Sequence, residues 1–115
     1  MSFLIKLVVS AIAVIISAYI LPGVHIGGMG SALILALVLA VLNGIVRPIL
    51  VLFTIPITII TLGIFLLVIN AIIILLADYI MGSGFGVDGF LFAILFSLVL
   101  SIVSAILEAI FGVGD

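Results

Sequence analysis

The chain contains no cysteine, and only 5% of its 115 residues are charged. Without cysteine it has no disulfide framework, no thiolate nucleophile and no cysteine-based metal site. Its two basic side chains are too few to neutralise the phosphates of a nucleic acid, which excludes a nucleic-acid partner. A Ser/His/Asp or Cys/His set, a phosphate-binding loop and a cluster of metal ligands are also missing. We therefore expect no enzymatic activity, no cofactor and no metal.

Apolar side chains, in contrast, make up 70% of the sequence, and the mean hydropathy is +1.99. A soluble domain of this length cannot bury so much apolar surface, so we expect a lipid bilayer to solvate it. Runs of this hydrophobicity lack the alternation of barrel strands, which predicts an all-α integral membrane protein. The first run is read as a retained helix rather than a secretion signal because it is long and recurs downstream. Four helices are predicted to span the membrane, at residues 3–21, 31–50, 63–81 and 90–111.

The sequence repeats itself with an offset of about sixty residues. Residues 23–28 (GVHIGG) align with residues 84–89 (GFGVDG), and with one residue of slippage Ser10 aligns with Asn70. A repeat of this kind is one supersecondary unit that packs against its neighbour. We therefore predict two tandem helical hairpins in the same orientation within a single transmembrane domain, 1–115. Repeat one covers about 3–50, an apolar connector 51–62, and repeat two about 63–111.

The connector leaves two structures open. Proline disfavours helical geometry in the residue before it, so Arg47 and Ile55 are expected break points. One option is an interfacial or re-entrant connector; the other is a pair of kinked helix extensions that meet near Pro56. We favour the connector because the repeat ends the second helix near Leu50.

The two cations predict the orientation. Lys6 and Arg47 fall on the same side of a four-helix topology, and the positive-inside rule places that side in the cytoplasm. We therefore expect a protein of the cytoplasmic membrane with both termini and the connector inside. The glycine-rich loops 22–30 and 82–89 are expected outside.

Small and weakly polar residues follow one face of the second helix and one face of the fourth. Such residues let membrane helices approach closely, and we interpret the two stripes as a packing interface between these helices. A polar seam that lines a pore or substrate path is the alternative. Because Arg47 and Glu108 are repeat equivalents at the same depth, they are predicted to form an ion pair. The stripes consist of Ala36, Ala40, Asn43 and Arg47, and of Ser97, Ser101, Ser104 and Glu108.

Four polar side chains outside the stripes are candidate site residues, together with Asn43. Asn43 and Asn70 lie within spans, and interhelical hydrogen bonds are expected to satisfy their amides; permeation or ligand contact is the alternative. His25 has no second histidine to complete a metal site and is expected to be a plain loop residue. Asp78 and Asp88 are expected at the outer interface, where water can solvate them.

Six motifs cover nearly the whole chain in order: residues 21–26 (LPGVHI), 42–50 (LNGIVRPIL), 54–58 (TIPIT), 61–65 (TLGIF), 68–71 (VINA) and 84–90 (GFGVDGF). With these motifs the chain resembles the phage holin family 4 (superfamily IV), which includes the bacterial YvlD-type proteins. The resemblance implies a four-span protein of the cell membrane. Lytic holins commonly end in a charged hydrophilic tail, whereas this chain ends at 111–115 (FGVGD), which argues against a lytic role.

Two functional hypotheses follow. The first is a non-enzymatic structural or envelope-homeostasis protein that acts through helix packing and a membrane partner protein or a second copy. The second is an oligomerising, holin-like pore former. A transporter built on parallel repeats is a more distant third, because four short helices enclose little volume.

Overall fold

The computed structural model describes residues 2–112. Residues 113–115, on which the expectation about a missing tail rests, lie outside the described part, as does Met1. Within residues 2–112 the helices are α1 (Ser2–Ile20), α2 (Met29–Val41), α3 (Arg47–Phe53), α4 (Ile55–Ile60), α5 (Phe65–Met81) and α6 (Phe90–Phe111). A π-helical turn (Leu42–Val46) joins α2 to α3, a 3-10 turn covers Gly82–Gly84, and the strands are β1 (Val24–Ile26) and β2 (Phe85–Val87).

Four helical stretches are long and apolar enough to cross a membrane: Phe3–Ile20, Met29–Phe53, Phe65–Gly84 and Phe90–Phe111. Each exceeds or approaches the roughly 20 residues that a bilayer core requires of a helix. The prediction of a mainly helical protein with four membrane-spanning helices is therefore confirmed. The two short strands were not predicted.

The four spans form a bundle in which each span packs against two others. α1 packs against α2 and α6, while α5 packs against α6 and against the run from α2 to α3. α2 and α6 consequently lie on opposite sides of the bundle, and they form no main interface with each other.

A two-stranded antiparallel ribbon covers one end of the bundle, which we call the ribbon end. At its centre His25 lies opposite Gly86, the residue that the sequence offset makes its equivalent. Two backbone hydrogen bonds flank this pair, and the sequence offset relates the donor and acceptor of one bond to the donor and acceptor of the other. They run from Gly27 N–H to the Gly84 carbonyl (3.0 Å) and from Asp88 N–H to the Gly23 carbonyl (2.8 Å). The pairing of the two loops is thus nearly symmetric about His25 and Gly86.

The side chains of α1 and α5 are buried in the same order along the two helices. Residues 9–20 and residues 69–80 have the same order of buried, half-buried and exposed positions. Tyr19 is 91% exposed and Tyr79 is 87% exposed, both at the ribbon end of their helices. Tyrosine at this position is typical of the boundary between lipid and water.

The ribbon half of the bundle interior is closely packed. Leu35, Phe85 and Phe96 are each at most 1% exposed, and the two phenylalanine rings lie 5.3 Å apart between centroids. Ile73 joins the same apolar cluster, so that α2, α5, α6 and β2 all contribute to it. The interior next to the ribbon is therefore filled by these side chains.

The opposite end, where α4 lies, we call the connector end, and here the breaks differ from those expected. The chain stays helical through Arg47 (φ −58°, ψ −47°) and leaves the helix at Thr54 (φ −112°, ψ 14°), so the second span ends at Phe53 rather than near Leu50. The Thr54 hydroxyl donates to the Leu50 carbonyl at 2.7 Å and satisfies one acceptor at this helix end. α4 and a turn with Gly63 at φ +89° then lead to α5.

Candidate functional site

The two small-residue stripes face a cleft rather than each other. Their helices lie across the bundle, and a cleft of about 400 Å³ opens between α1, α2 and α6. We call it the connector-end cleft. Its polar lining is Lys6, Ser10, Asn43, Ser101 and Ser104; its apolar lining is Phe3, Leu7, Val14, Ala36, Leu39, Ala40 and Leu100. The structure thus brings members of both stripes to one space, and the extensive α2–α6 interface expected for them is not formed.

A smaller cavity of about 80 Å³ adjoins this cleft on the side of α5. It is lined by Arg47, Asn70 and Ser97 among others, and it shares Leu39, Asn43, Leu100 and Ser101 with the connector-end cleft. The two spaces therefore form neighbouring parts of one polar region in the bundle interior.

The guanidinium of Arg47 links two helices through the two asparagines. Nε donates to Oδ1 of Asn43 at 2.8 Å, and Nη2 donates to Oδ1 of Asn70 on α5. Both amides thus contribute their carbonyl oxygens to a cation. A charge-assisted bond of this kind is stronger than one between neutral groups.

The local backbone explains how Arg47 reaches this position. Pro48 has no N–H to donate to the carbonyl of Gly44, and the helix widens into a π-helical turn in which Arg47 N–H bonds to the Leu42 carbonyl. Since the chain remains helical, Asn43 and Arg47 stay on one face, one turn apart.

The structure holds no ion pair between Arg47 and Glu108. In residues 2–112 the one contact within 4 Å between a basic and an acidic side chain joins His25 to Asp88. Arg47 and Glu108 are repeat equivalents at the same depth, but equal depth does not make their two helices neighbours. α3 packs on α5, which carries Asn70, and the guanidinium binds there instead.

The serines add only weak polarity to the cleft. Ser97 Oγ donates to the Ile94 carbonyl and Ser101 Oγ donates to the Ser97 carbonyl, each at 2.8 Å. Because the hydroxyl protons are used within α6, these serines present mainly acceptor lone pairs to the cleft.

Lys6 is the lining residue that sequence reasoning missed as a site residue, since it served only to predict orientation. It lines the connector-end cleft, one helical turn before Ser10. The repeat held a signal for it, because Ser10 is the equivalent of Asn70 and therefore marks the face of α1 that points inward. Both cations of the chain thus contribute to the same polar region.

The polar residues of the ribbon end form separate contacts. His25 Nε2 lies 3.3 Å from Asp88 Oδ1, with both side chains more than half exposed. Asp78 Oδ2 accepts the Val87 N–H at 3.0 Å and so ties β2 to α5, a role that the sequence did not indicate. No group of three or more His, Asp or Glu side chains in residues 2–112 lies close enough to hold a metal ion.

Comparison with known families matches this four-span structure. The family model described as "Mycobacterial 4 TMS phage holin, superfamily IV" matches residues 1–106. The chain belongs to this holin family. The family predicted from the six motifs is therefore confirmed, and the protein is a multi-pass membrane protein with bacterial relatives.

Two relatives of this holin-family protein are themselves named as uncharacterised. The "Uncharacterized membrane protein YvlD" of Bacillus subtilis is 41% identical over 90 residues, which cover 78% of this chain and 76% of YvlD. The "Uncharacterized protein SCO3922" of Streptomyces coelicolor is 35% identical over 103 residues, 82% of each chain. No solved structure matches the chain.

Proposed function

We propose that this protein is a non-enzymatic component of the cytoplasmic membrane with a structural or envelope-homeostasis role, exerted through helix packing and a membrane partner or a second copy. The observation that carries this proposal is the uneven interior of the bundle. A cleft with a polar lining opens toward its connector end, whereas the interior next to the ribbon is filled by buried side chains such as Leu35 and Phe96. From residues 2–112 we expect a single chain of this shape to offer no passage across the membrane.

The architecture proposed for this role is a pair of tandem hairpins in the same orientation. Support comes from the ribbon register, which is symmetric about His25 and Gly86, and from the equal burial order of residues 9–20 and 69–80. Lys6 and Arg47 both lie toward the connector end, and the positive-inside rule assigns that end to the cytoplasm. Both termini are then cytoplasmic, and the ribbon lies outside.

The second candidate is an oligomeric pore. It is favoured by membership of a family named for holins, which oligomerise, and by the position of the stripes beside a cleft instead of in a helix interface. An assembly could use that polar face if several chains opened it along the full membrane depth. We rank this candidate second because Ala36 and Ala40 provide little polarity for water.

Controlled induction with a membrane-potential dye separates the two candidates. We expect no abrupt, timed depolarisation, because the ribbon half of the interior is packed. Ala40→Phe places an aromatic ring at the lining of the cleft and narrows it. Val41→Phe places the same ring on the neighbouring position, which does not line the cleft, and is the matched control. Depolarisation at a reproducible delay, lost in Ala40→Phe and kept in Val41→Phe, would overturn the proposal in favour of the pore.

A further inference from the structure

We propose that the connector-end cleft binds the phosphate group of an anionic phospholipid. The two cations of the chain, Lys6 and Arg47, line this cleft and its adjoining cavity, which share four lining residues. The inference deepens the proposed function by assigning a ligand to the same site, and it uses the proposed orientation only to name the cytoplasmic leaflet.

Charge complementarity is the first argument. Within residues 2–112 neither Lys6 nor Arg47 has a carboxylate within 4 Å. Asp78 and Asp88 lie at the ribbon end, and Glu108 follows Ser104 by one turn without lining either space. A cation at membrane depth is costly unless it is paired. Since residues 2–112 supply no counter-ion within 4 Å of either cation, an anion from outside this part of the chain is the partner that fits.

Depth identifies the source of that anion. At 1.5 Å per residue, Lys6, Asn43 and Ser104 lie about 21 Å from the ribbon-end terminus of their helices, and Arg47 about 27 Å. In a hydrocarbon core about 30 Å thick, these residues belong to the third nearest the connector end. Lysine and arginine at this depth extend their charged groups toward the boundary, where lipid phosphates lie.

The chemistry of the lining fits a phosphate ester. Arginine and lysine are the usual phosphate ligands. Arg47 uses only some of its guanidinium N–H donors to bind Asn43 and Asn70. The amide nitrogen of Asn43 supplies a further donor beside them. Basic pockets between membrane helices on the cytoplasmic side are a known setting for anionic headgroups.

The apolar wall of the cleft selects a lipid over free phosphate. Phe3, Leu7 and Leu100 line the same space as Lys6, and its volume of about 400 Å³ is in the range of small-ligand sites. A headgroup with the first carbons of an acyl chain would cover both the polar and the apolar lining. Inorganic phosphate would leave the apolar part uncovered.

Native mass spectrometry of the delipidated full chain in detergent tests the proposal directly. Phosphatidylglycerol should be retained in preference to phosphatidylcholine with the same acyl chains. Lys6→Gln should weaken phosphatidylglycerol retention about fivefold, the loss expected for one cation–phosphate contact near the membrane surface. Lys6→Arg should keep it. Ala40→Phe should weaken retention by narrowing the cleft without changing charge, while Val41→Phe should leave it unchanged.

A second measurement identifies variants that fold poorly and distinguishes a lipid phosphate from free inorganic phosphate. Far-UV circular dichroism melting in detergent reports both the fold of each variant and the stabilisation by added ligand. Phosphatidylglycerol should raise the midpoint of the wild type and of Val41→Phe, and inorganic phosphate should not. Stabilisation by phosphate alone would overturn the lipid assignment. Equal retention of both lipids, or retention unchanged in folded Lys6→Gln and Ala40→Phe, would overturn the site. Neither result would alter the depolarisation test, which reads the proposed function separately.

Discussion

At the scale of single residues, Arg47 organises the connector end. Its side chain crosses from the π-helical turn to α5 and uses the carbonyl oxygens of Asn43 and Asn70. Removing one partner leaves the others with unsatisfied polar groups in a medium that hydrates them poorly. The contact therefore fixes the second span against the third.

A double-mutant cycle measures this contact. Arg47→Ala and Asn70→Ala should each lower the thermal stability in detergent, and the double variant should lose about 1 kcal/mol less than the sum, within the range found for polar pairs between membrane helices. The pair Arg47→Ala and Glu108→Ala serves as the control and should be additive. Coupling of Arg47 to Glu108, with none to Asn70, would restore the ion pair that the repeat predicts.

The sequence was sufficient to identify most residues of the polar region, but not the residues to which they bond. Asn43, Asn70 and Arg47 were all recognisable, because polar side chains within apolar runs stand out. Arg47 and Asn43 bond within one span, but the bond from Arg47 to Asn70 depends on which helices are neighbours. The repeat determines depth but not adjacency. Lys6 was missed because its signal in the repeat is indirect: it lies one helical turn before Ser10, the equivalent of Asn70. That Lys6 lines a cleft follows from the placement of α1 between α2 and α6.

At the scale of elements, the ribbon joins the two loops through backbone groups. Its strands have three residues each, Val24–Ile26 and Phe85–Val87, among glycines that weaken any strand pattern. Sequence periodicity therefore could not reveal them, although the matching glycine-rich loops could be located. Asp78 strengthens the ribbon by accepting the Val87 N–H from α5.

Engineered cysteines test the ribbon register, because the chain has no native cysteine. Val24 and Val87 are directly opposite each other, and the hydrogen bonds of neighbouring pairs make theirs a close, non-hydrogen-bonded pair. Val24→Cys with Val87→Cys should form an intrachain disulfide under mild oxidation, measured as loss of free thiol. Ile26→Cys with Val87→Cys is the off-register control and should oxidise more slowly. The opposite order of rates would contradict the observed pairing.

The connector is the element on which sequence reasoning was least complete. Proline marks both of its break regions, but the rule for the residue before proline placed a break at Arg47, where the chain forms a π-helical turn instead. The actual exit at Thr54 uses a side-chain hydrogen bond to Leu50. Such a bond depends on a rotamer and leaves little trace in hydropathy.

At the scale of the whole molecule, composition and repeat predicted the spans because each depends on length and hydrophobicity alone. The order of helices around the bundle was not predictable in that way. In the observed order, residues of both stripes lie at one cleft and both cations lie beside it. Residues such as Phe85 and Phe96 fill the interior next to the ribbon. This uneven interior is the basis of the proposed role and of the proposed lipid site.

The central claim, two hairpins in the same orientation with the ribbon outside, is tested most directly by cysteine accessibility in intact cells. Single cysteines are placed at His25 and Ser83, both exposed at the ribbon end, and at Ile60, which is exposed on α4. Cysteines at His25 and Ser83 should both react with an impermeant thiol reagent, and the cysteine at Ile60 should react only after the cells are permeabilised. Labelling of one ribbon position without the other, or of Ile60 in intact cells, would contradict the account.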